Sequence, residues 1–297
     1  MKIAMMSEHA SPLAALGGVD AGGQNVHVAE LATALADRGH DVVVYTRRDS
    51  ARLPARVAMS GGVTVEHLDA GPARPVPKDE LPPFVPQMAS QLAARLVADP
   101  PDVLHAHFWM SGLASLSAAP SAGVPVLQTF HALGVVKRRF QGAADTSPVS
   151  RIRCERSLAR SVTRVIASST DERRDLLRMG ADPSRVDVVP SGVDLSLFCP
   201  DGPRSGRGAR HRVLVISRLV RRKGIDDAIR AVALLPDTEL VVAGGPEGAA
   251  FEDDPELRRL RALAAELGIA GRVRLLGSVA HDALAPLIRS ADAVVCL

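Results

Sequence analysis

The chain has 297 residues, enough for two domains, because single cores stop growing near about 250–300 residues. Apolar residues make up 46% of it and the formal net charge is only +3, too small a basic excess to imply a nucleic-acid partner. Aromatic residues are 3%, which counts against a single-strand binder that stacks bases on rings. The first apolar run, 2–6, is too short for a signal-peptide core and reads as a strand. Further strand patterns follow at 41–46, 63–68, 103–107, 124–129, 164–167 and 186–189. Helical patterns lie between them. The one at 22–38 carries apolar Val26, Ala29, Leu31 and Leu35 and stops at Gly39; others occupy 86–98 and 171–179, the last ending at Gly180. This alternation predicts a parallel sheet covered by helices.

The stretch 199–208, rich in Pro, Gly and Arg, has no apolar periodicity and reads as a linker. Alternation then restarts, with strands at 213–216, 239–243, 273–276 and 293–296 and helices at 225–235, 254–267 and 282–289. The expectation is an α/β protein with an N-terminal Rossmann-like domain over 1–200, a linker over 201–211 and a second Rossmann-like domain over 212–297, facing each other across a cleft. Such a domain usually needs about five or six strands, and four are counted, so the second domain is expected to be incomplete. Cys154, Cys199 and Cys296 are odd in number and far apart, which predicts neither disulfides nor a metal-binding cysteine set, and a cytoplasmic setting. No apolar run approaches about 18 residues, so no transmembrane segment is expected.

Three turns concentrate the chemistry. Ile216-Ser217-Arg218-Leu219-Val220-Arg221-Arg222-Lys223-Gly224 joins a buried strand to a helix, placing Arg218 and Lys223 where α/β sheets bind ligands. A helix N-terminus there adds unpaired N–H groups and the positive dipole end, which suits a diphosphate held without a metal. The competing reading is a solvated basic turn; Gly244-Gly245, ending the next strand, adds a ligand-facing turn beside it. The loop Gly17-Gly18-Val19-Asp20-Ala21-Gly22-Gly23-Gln24-Asn25 lets backbone approach a ligand, or is an ordinary flexible loop. It is not a dinucleotide fingerprint: no G-x-G-x-x-G is present, and the second strand ends in Arg47-Arg48 without an acidic residue for a ribose. His107 and His131 sit at the ends of two strands, where a histidine is either structural or catalytic. No carboxylate clusters with them, so no metal is expected. Gly192-Val193-Asp194 reads equally as a structural turn or a ligand contact, and Glu155 as helix surface or core.

Taken in order, Gly22-Gly23-Gln24-Asn25, His105-Ala106-His107-Phe108-Trp109, Thr129-Phe130-His131, Pro190-Ser191-Gly192-Val193-Asp194, Arg218 with Arg222-Lys223-Gly224, and Gly244-Gly245-Pro246 resemble the retaining family 4 glycosyltransferases of GT-B fold. Ser7-Glu8-His9 and Pro77-Lys78-Asp79-Glu80-Leu81-Pro82 are similar to the sucrose-phosphate-synthase-like and mycothiol-pathway inositol-phosphate subgroup. The resemblance implies hexose transfer from a UDP- or GDP-sugar to a hydroxyl of a small molecule or glycan, with retention and no cofactor or metal. It implies that Gly22, Gly23, Gly244, Gly245, Arg218 and Lys223 bind the donor, that His131 stands beside the transferred sugar with Arg218 and Lys223 also catalytic, and that Asn25, Lys78 and His107 face the acceptor. A homodimer is compatible with it. Two departures matter. Inositol-phosphate enzymes carry Tyr and Thr at the positions resembling Phe108 and Ala132, so inositol phosphate is not the expected acceptor. The family's Glu-x7-Glu signature follows the strand that ends here at Leu297, so little activity is expected of residues 1–297 alone. The alternatives are a truncated non-catalytic nucleotide-sugar-binding module or a nucleotide-sugar 2-epimerase-like enzyme.

Overall fold

The computed structural model describes residues 1–14, 22–246 and 248–297. It divides into two compact units, one formed by Met1–Ala14 with Gly22–Ser191 and the other by Gly192–Leu297. Among the described residues, no helix is long and apolar enough to cross a membrane.

The first unit runs β1 (Lys2–Met6), α1 (Gly23–Ala36), β2 (Asp41–Arg47), β3 (Arg56–Ala58), β4 (Thr64–Leu68), α2 (Val85–Ala98), β5 (Val103–His107), α3 (Trp109–Ala118), β6 (Val126–Thr129), α4 (Gly134–Gln141), α5 (Arg151–Ser161), β7 (Arg164–Ala167), α6 (Thr170–Arg178) and β8 (Val186–Val188). The strands form one sheet in the order β3-β4-β2-β1-β5-β6-β7-β8. All pairs are parallel except β3 with β4. β1 explains the layering. Its side chains alternate between faces, yet neighbouring Met5 and Met6 are both fully buried, so helices must cover both sides. Ala4 and Met6 pack with Leu92, Phe130 and Leu158 on one face; Ile3 and Met5 pack with Val28, Val42 and Val44 on the other.

Four elements of this unit escape a reading of periodicity: β3, α3, α4 and α5. α3 is buried on most of its surface and offers no polar face to mark a period. Its Gly112 lies so close to Gln128 that a Cβ there would meet Oε1 at 2.1 Å. α5 buries Arg151 and Glu155 beside Leu158 and Ala159, which inverts the usual polarity of an inner stripe.

The second unit runs β9 (His211–Ile216), α7 (Ile225–Ala233), β10 (Thr238–Ala243), α8 (Ala249–Glu252), α9 (Pro255–Glu266), β11 (Val273–Leu275), α10 (His281–Arg289) and β12 (Ala293–Val294). Its sheet has four strands, ordered β11-β10-β9-β12 and all parallel. The segment read as linker packs on α10: Arg289 donates to the carbonyls of Pro203 (2.8 Å) and Cys199 (3.1 Å), and Ser205 N–H donates to Pro286 (2.9 Å). The division between units therefore falls at Ser191 rather than at residue 200, because these bonds satisfy the segment's backbone within the second unit.

Each sheet has a point where strand order reverses, at β1 between β2 and β5 and at β9 between β10 and β12. Loops leaving the carboxyl ends of β1, β5 and β9 are where open α/β sheets bind ligands.

Candidate functional site

In the first unit, β1 leads to Ser7-Glu8-His9 and α1 starts at the same end of the sheet. Gln24 ties them together, its Nε2 donating to Ser7 Oγ (3.2 Å) and to the His107 carbonyl (3.4 Å). Gly22 caps α1, and its N–H donates to Asn25 Oδ1 at 3.0 Å. Asn25 Nδ2 donates to the Ser11 carbonyl at 2.9 Å, and the side chain is only 3% exposed. Asn25 thus holds the loop rather than reaching outward to an acceptor. A Cβ added to Gly22 or Gly23 meets no described atom within 4 Å, so nothing described there requires glycine. Residues 17–21 of the predicted loop lie outside the described residues.

His107 ends β5 and is fully buried. Its Nδ1 shares a hydrogen bond with His131 Nε2 at 3.0 Å, while its Nε2 has no partner. It supports His131 from behind instead of facing an acceptor. His105, on the same strand, bonds Thr129 Oγ1 at 2.9 Å. His27, which periodicity alone gave no reason to single out, extends from α1 with its ring 5.0 Å from that of His131. Burial first, then the charges of His27, His105 and His9, hold the His131 imidazole down to about 3. Burial, then His27, holds His105 to about 4, and burial keeps His107 well below the ordinary value. All three are neutral near pH 7.

Phe108 and His131 are the non-glycine residues with positive φ, 79° and 60°, among those described. Phe108 directly follows β5 and His131 stands two residues past β6, and such conformations persist only where surroundings over-determine them. Phe108 is braced by the His9 ring at 4.8 Å and the Arg151 guanidinium at 4.9 Å. Arg151 is 2% exposed, bonds Glu155 Oε1 at 2.8 Å and donates to the Ala132 carbonyl at 2.5 Å. Glu155 Oε2 accepts the Gly134 N–H at 2.8 Å. Burial pushes the Glu155 carboxyl up, against the pull of Arg151. The pair clamps the loop that carries His131. Its sequence signal was the i, i+4 spacing of opposite charges on one helix. Glu8, 1% exposed, bonds the Ser111 hydroxyl and His9 Nδ1 (2.7 Å).

His131 also lines a cavity of about 340 Å³ with Ala132, Val136, Arg139, Ser169 and Asp175. Arg139 is bound there to both Asp175 oxygens, at 3.0 and 3.3 Å. Lys78 is half-buried in a short turn, Lys78–Glu80, whose Asp79 accepts from Thr146 at 2.8 Å.

In the second unit β9 ends at Ile216, and Arg221–Lys223 form one tight turn before Gly224, in the left-handed region, starts α7. Lys223 is half-buried. Partial desolvation, then the Arg218 charge, lowers the Arg222 guanidinium, which marks a concentration of like charge. Gly244 is demanded by the fold: its φ is +129° and a Cβ would stand 2.2 Å from the Ser217 carbonyl oxygen. Its N–H is committed to Gly277 at 2.7 Å, so it is not an open donor to a diphosphate. Gly245, at φ +128°, would bring a Cβ 3.2 Å from Leu219.

Two α/β units, one with a positive-φ histidine just past β6 and one with a cationic strand-to-helix turn, together with the likeness to solved enzymes given below, define a glycosyltransferase of GT-B type. The chain belongs to glycosyltransferase family 4: the family's model, Glycosyltransferase Family 4, matches residues 21–197, and that of Glycosyl transferases group 1 matches 206–297. It is 37% identical to the D-inositol 3-phosphate glycosyltransferase of Acidothermus cellulolyticus, over 99% of this chain and 69% of that protein. It is 36% identical to the enzyme of that name from Mycobacterium tuberculosis, over 99% of this chain and 63% of that protein. The chain thus spans about two thirds of the length of these relatives. A solved sucrose-phosphate synthase from Thermosynechococcus elongatus superposes with a TM-score of 0.89 at 28% identity, covering 99% of this chain and 74% of that one.

Proposed function

We propose that the protein to which this chain belongs moves a hexose from a UDP- or GDP-sugar to an acceptor hydroxyl, with retention and without a metal ion. The observation that carries the reading is the Arg218, Arg222 and Lys223 cluster at the end of β9, where Lys223 has no ion-pair partner among the described residues. Negative charge grows on the diphosphate as the C1–O bond breaks, and fixed cations and backbone N–H groups stabilise it in place of a metal. Arg218 and Lys223 supply the cations. At the N-terminus of α1 the Gly22 N–H is held by Asn25, and the amide of Gly23, where an added Cβ meets no described atom, supplies the N–H. The acceptor oxygen forms the new bond to C1 on the face the diphosphate leaves, and its proton passes to the departing phosphate oxygen. His131, neutral and locked by His107, Arg151 and the Ala132 turn, stands beside the sugar as a hydrogen-bonding partner.

Inositol phosphate is not the acceptor in this reading. Phe108 has no hydroxyl and its ring is sandwiched by His9 and Arg151; Ala132 offers only a carbonyl, already taken by Arg151. A phosphate site that loses two hydroxyl donors loses much of its discrimination.

The test is release of nucleoside diphosphate by the full-length protein from UDP- and GDP-hexoses, with and without a panel of hydroxyl acceptors. Acceptor-dependent release in the presence of EDTA, an unchanged anomeric configuration in the product by NMR, and a roughly tenfold loss of donor affinity in Lys223→Ala are expected. Release without acceptor, or a requirement for added metal, overturns the proposal. Efficient turnover of D-inositol 3-phosphate overturns the acceptor inference alone.

A further inference from the structure

We propose that His27, His107 and His131 form a binding site for a zinc-class divalent ion, and that an ion bound there inhibits transfer by occupying His131. One ring nitrogen from each of the three lies within 4.8 Å of those of the other two. Three imidazoles around a tetrahedral zinc ion, at 2.0–2.1 Å each, stand about 3.3 Å apart. His107 and His131 are already at 3.0 Å, so the pair opens by a few tenths of an ångström while His27 closes by a side-chain rotation.

The ligands come from three separate supports. His27 extends from α1, His107 ends β5, and His131 sits on the loop after β6, fixed by its positive φ and by the Arg151 clamp next to it. Two imidazoles that share a hydrogen bond hold one proton between them. An ion bonds both facing nitrogens once that proton has moved to the far nitrogen of its own ring, so each imidazole stays neutral, and the third ring completes a trigonal face with one position left for water. The donor set is all nitrogen and contains no carboxylate, which selects zinc, cobalt or copper over magnesium or calcium. Burial keeps the three rings neutral near pH 7, so no bound proton competes with the ion. His27 and His131 are half-buried, so two of the three rings are partly open, and His131 lines the 340 Å³ cavity.

Ion binding stands apart from the transferase reading; inhibition rests on it. The experiment uses untagged full-length protein stripped with chelator. Zinc is titrated calorimetrically, and cobalt is followed by its visible absorption. Expected are one ion per chain, cobalt bands of tetrahedral nitrogen ligation without a thiolate charge-transfer band, and at least about tenfold weaker binding in His27→Gln. In the transferase assay, zinc lowers the rate of the wild type, EDTA restores it, and His27→Gln keeps its metal-free rate while resisting zinc. Unchanged zinc affinity in a His27→Gln variant with a wild-type melting curve overturns the site. So does a thiolate band, which assigns the ion to Cys154, Cys199 or Cys296. Zinc bound through His27 with no loss of rate overturns the inhibitory role and leaves the site. Absence of any transferase activity, with zinc bound, strikes the function proposed above and not the site.

Discussion

Nδ1 of His107 lies 3.0 Å from Nε2 of His131, joining the end of β5 to the loop after β6. One ring is fully buried and the other reaches the cavity, so the first sets the orientation of the second. His131→Ala is expected to lower kcat of the full-length enzyme about a hundredfold or more. His107→Phe fills the same space without the hydrogen bond and is expected to lower kcat about 10- to 100-fold with donor KM little changed, because a small misplacement of a catalytic group carries that cost. Steady-state kinetics separate the two; a His107→Phe enzyme of wild-type kcat contradicts the positioning role.

Acid is expected to unfold the first unit in a window set by its histidines. The folded pKa values of His105 and His131 are about 4 and about 3, against 6.5 for the unfolded side chain. A group with a depressed folded pKa contributes stability that is complete above the unfolded value and is lost as pH falls toward the folded one. Stability should therefore be level above pH 6.5 and fall from there to about pH 3. Carried through its window, His105 accounts for a loss on the order of 3 kcal/mol and His131 for one on the order of 5. Thermal melts in steps from about pH 8 to 3 read this directly. A flat profile between pH 6.5 and 5 would show that these rings are not buried neutral.

The glycines separate into two kinds. Gly244→Ala places a Cβ against the Ser217 carbonyl oxygen at φ +129°, and is expected to destabilise the second unit by about 3 kcal/mol or more. Gly23→Ala meets no described atom and begins a helix, so stability should stay within about 0.5 kcal/mol of wild type. Donor affinity in Gly23→Ala should nonetheless fall about tenfold if the diphosphate binds where the proposed function puts it, and an unchanged affinity contradicts that placement. Urea denaturation and donor titration of both variants give the four numbers.

Arg151→Met leaves the Glu155 carboxylate buried without its partner, a change expected to cost about 3–5 kcal/mol. Adding Glu155→Leu should recover part of that loss but not all of it, because the Gly134 N–H then has no acceptor. Equilibrium unfolding of the single and double variants checks the order.

The sequence by itself determined the layering and the addresses of the turns that carry the candidate site residues. Hydrophobic runs such as 2–6 and 213–216, each followed by turn residues and an amphipathic stretch, can satisfy their backbone and bury both faces only as strands of a covered parallel sheet. That placed His107 and His131 at or just past strand ends and Arg218 and Lys223 in the turn from β9 to α7, where the structure has them. Elements whose inner face is not a simple apolar stripe stayed illegible: α3 is apolar nearly all round and α5 buries an ion pair.

Only the tertiary structure decided which polar groups meet. His27 is 80 positions from His107 in the chain, and nothing in its local pattern says that α1 turns it toward the ends of β5 and β6. The same holds for Asn25, which spends its amide on Gly22 and Ser11, and for the 192–211 segment, which α10 draws into the second unit. Hydrogen bonds and ring contacts are short-ranged and directional, so helix rotation and strand order fix them, while periodicity records only which side of an element avoids water.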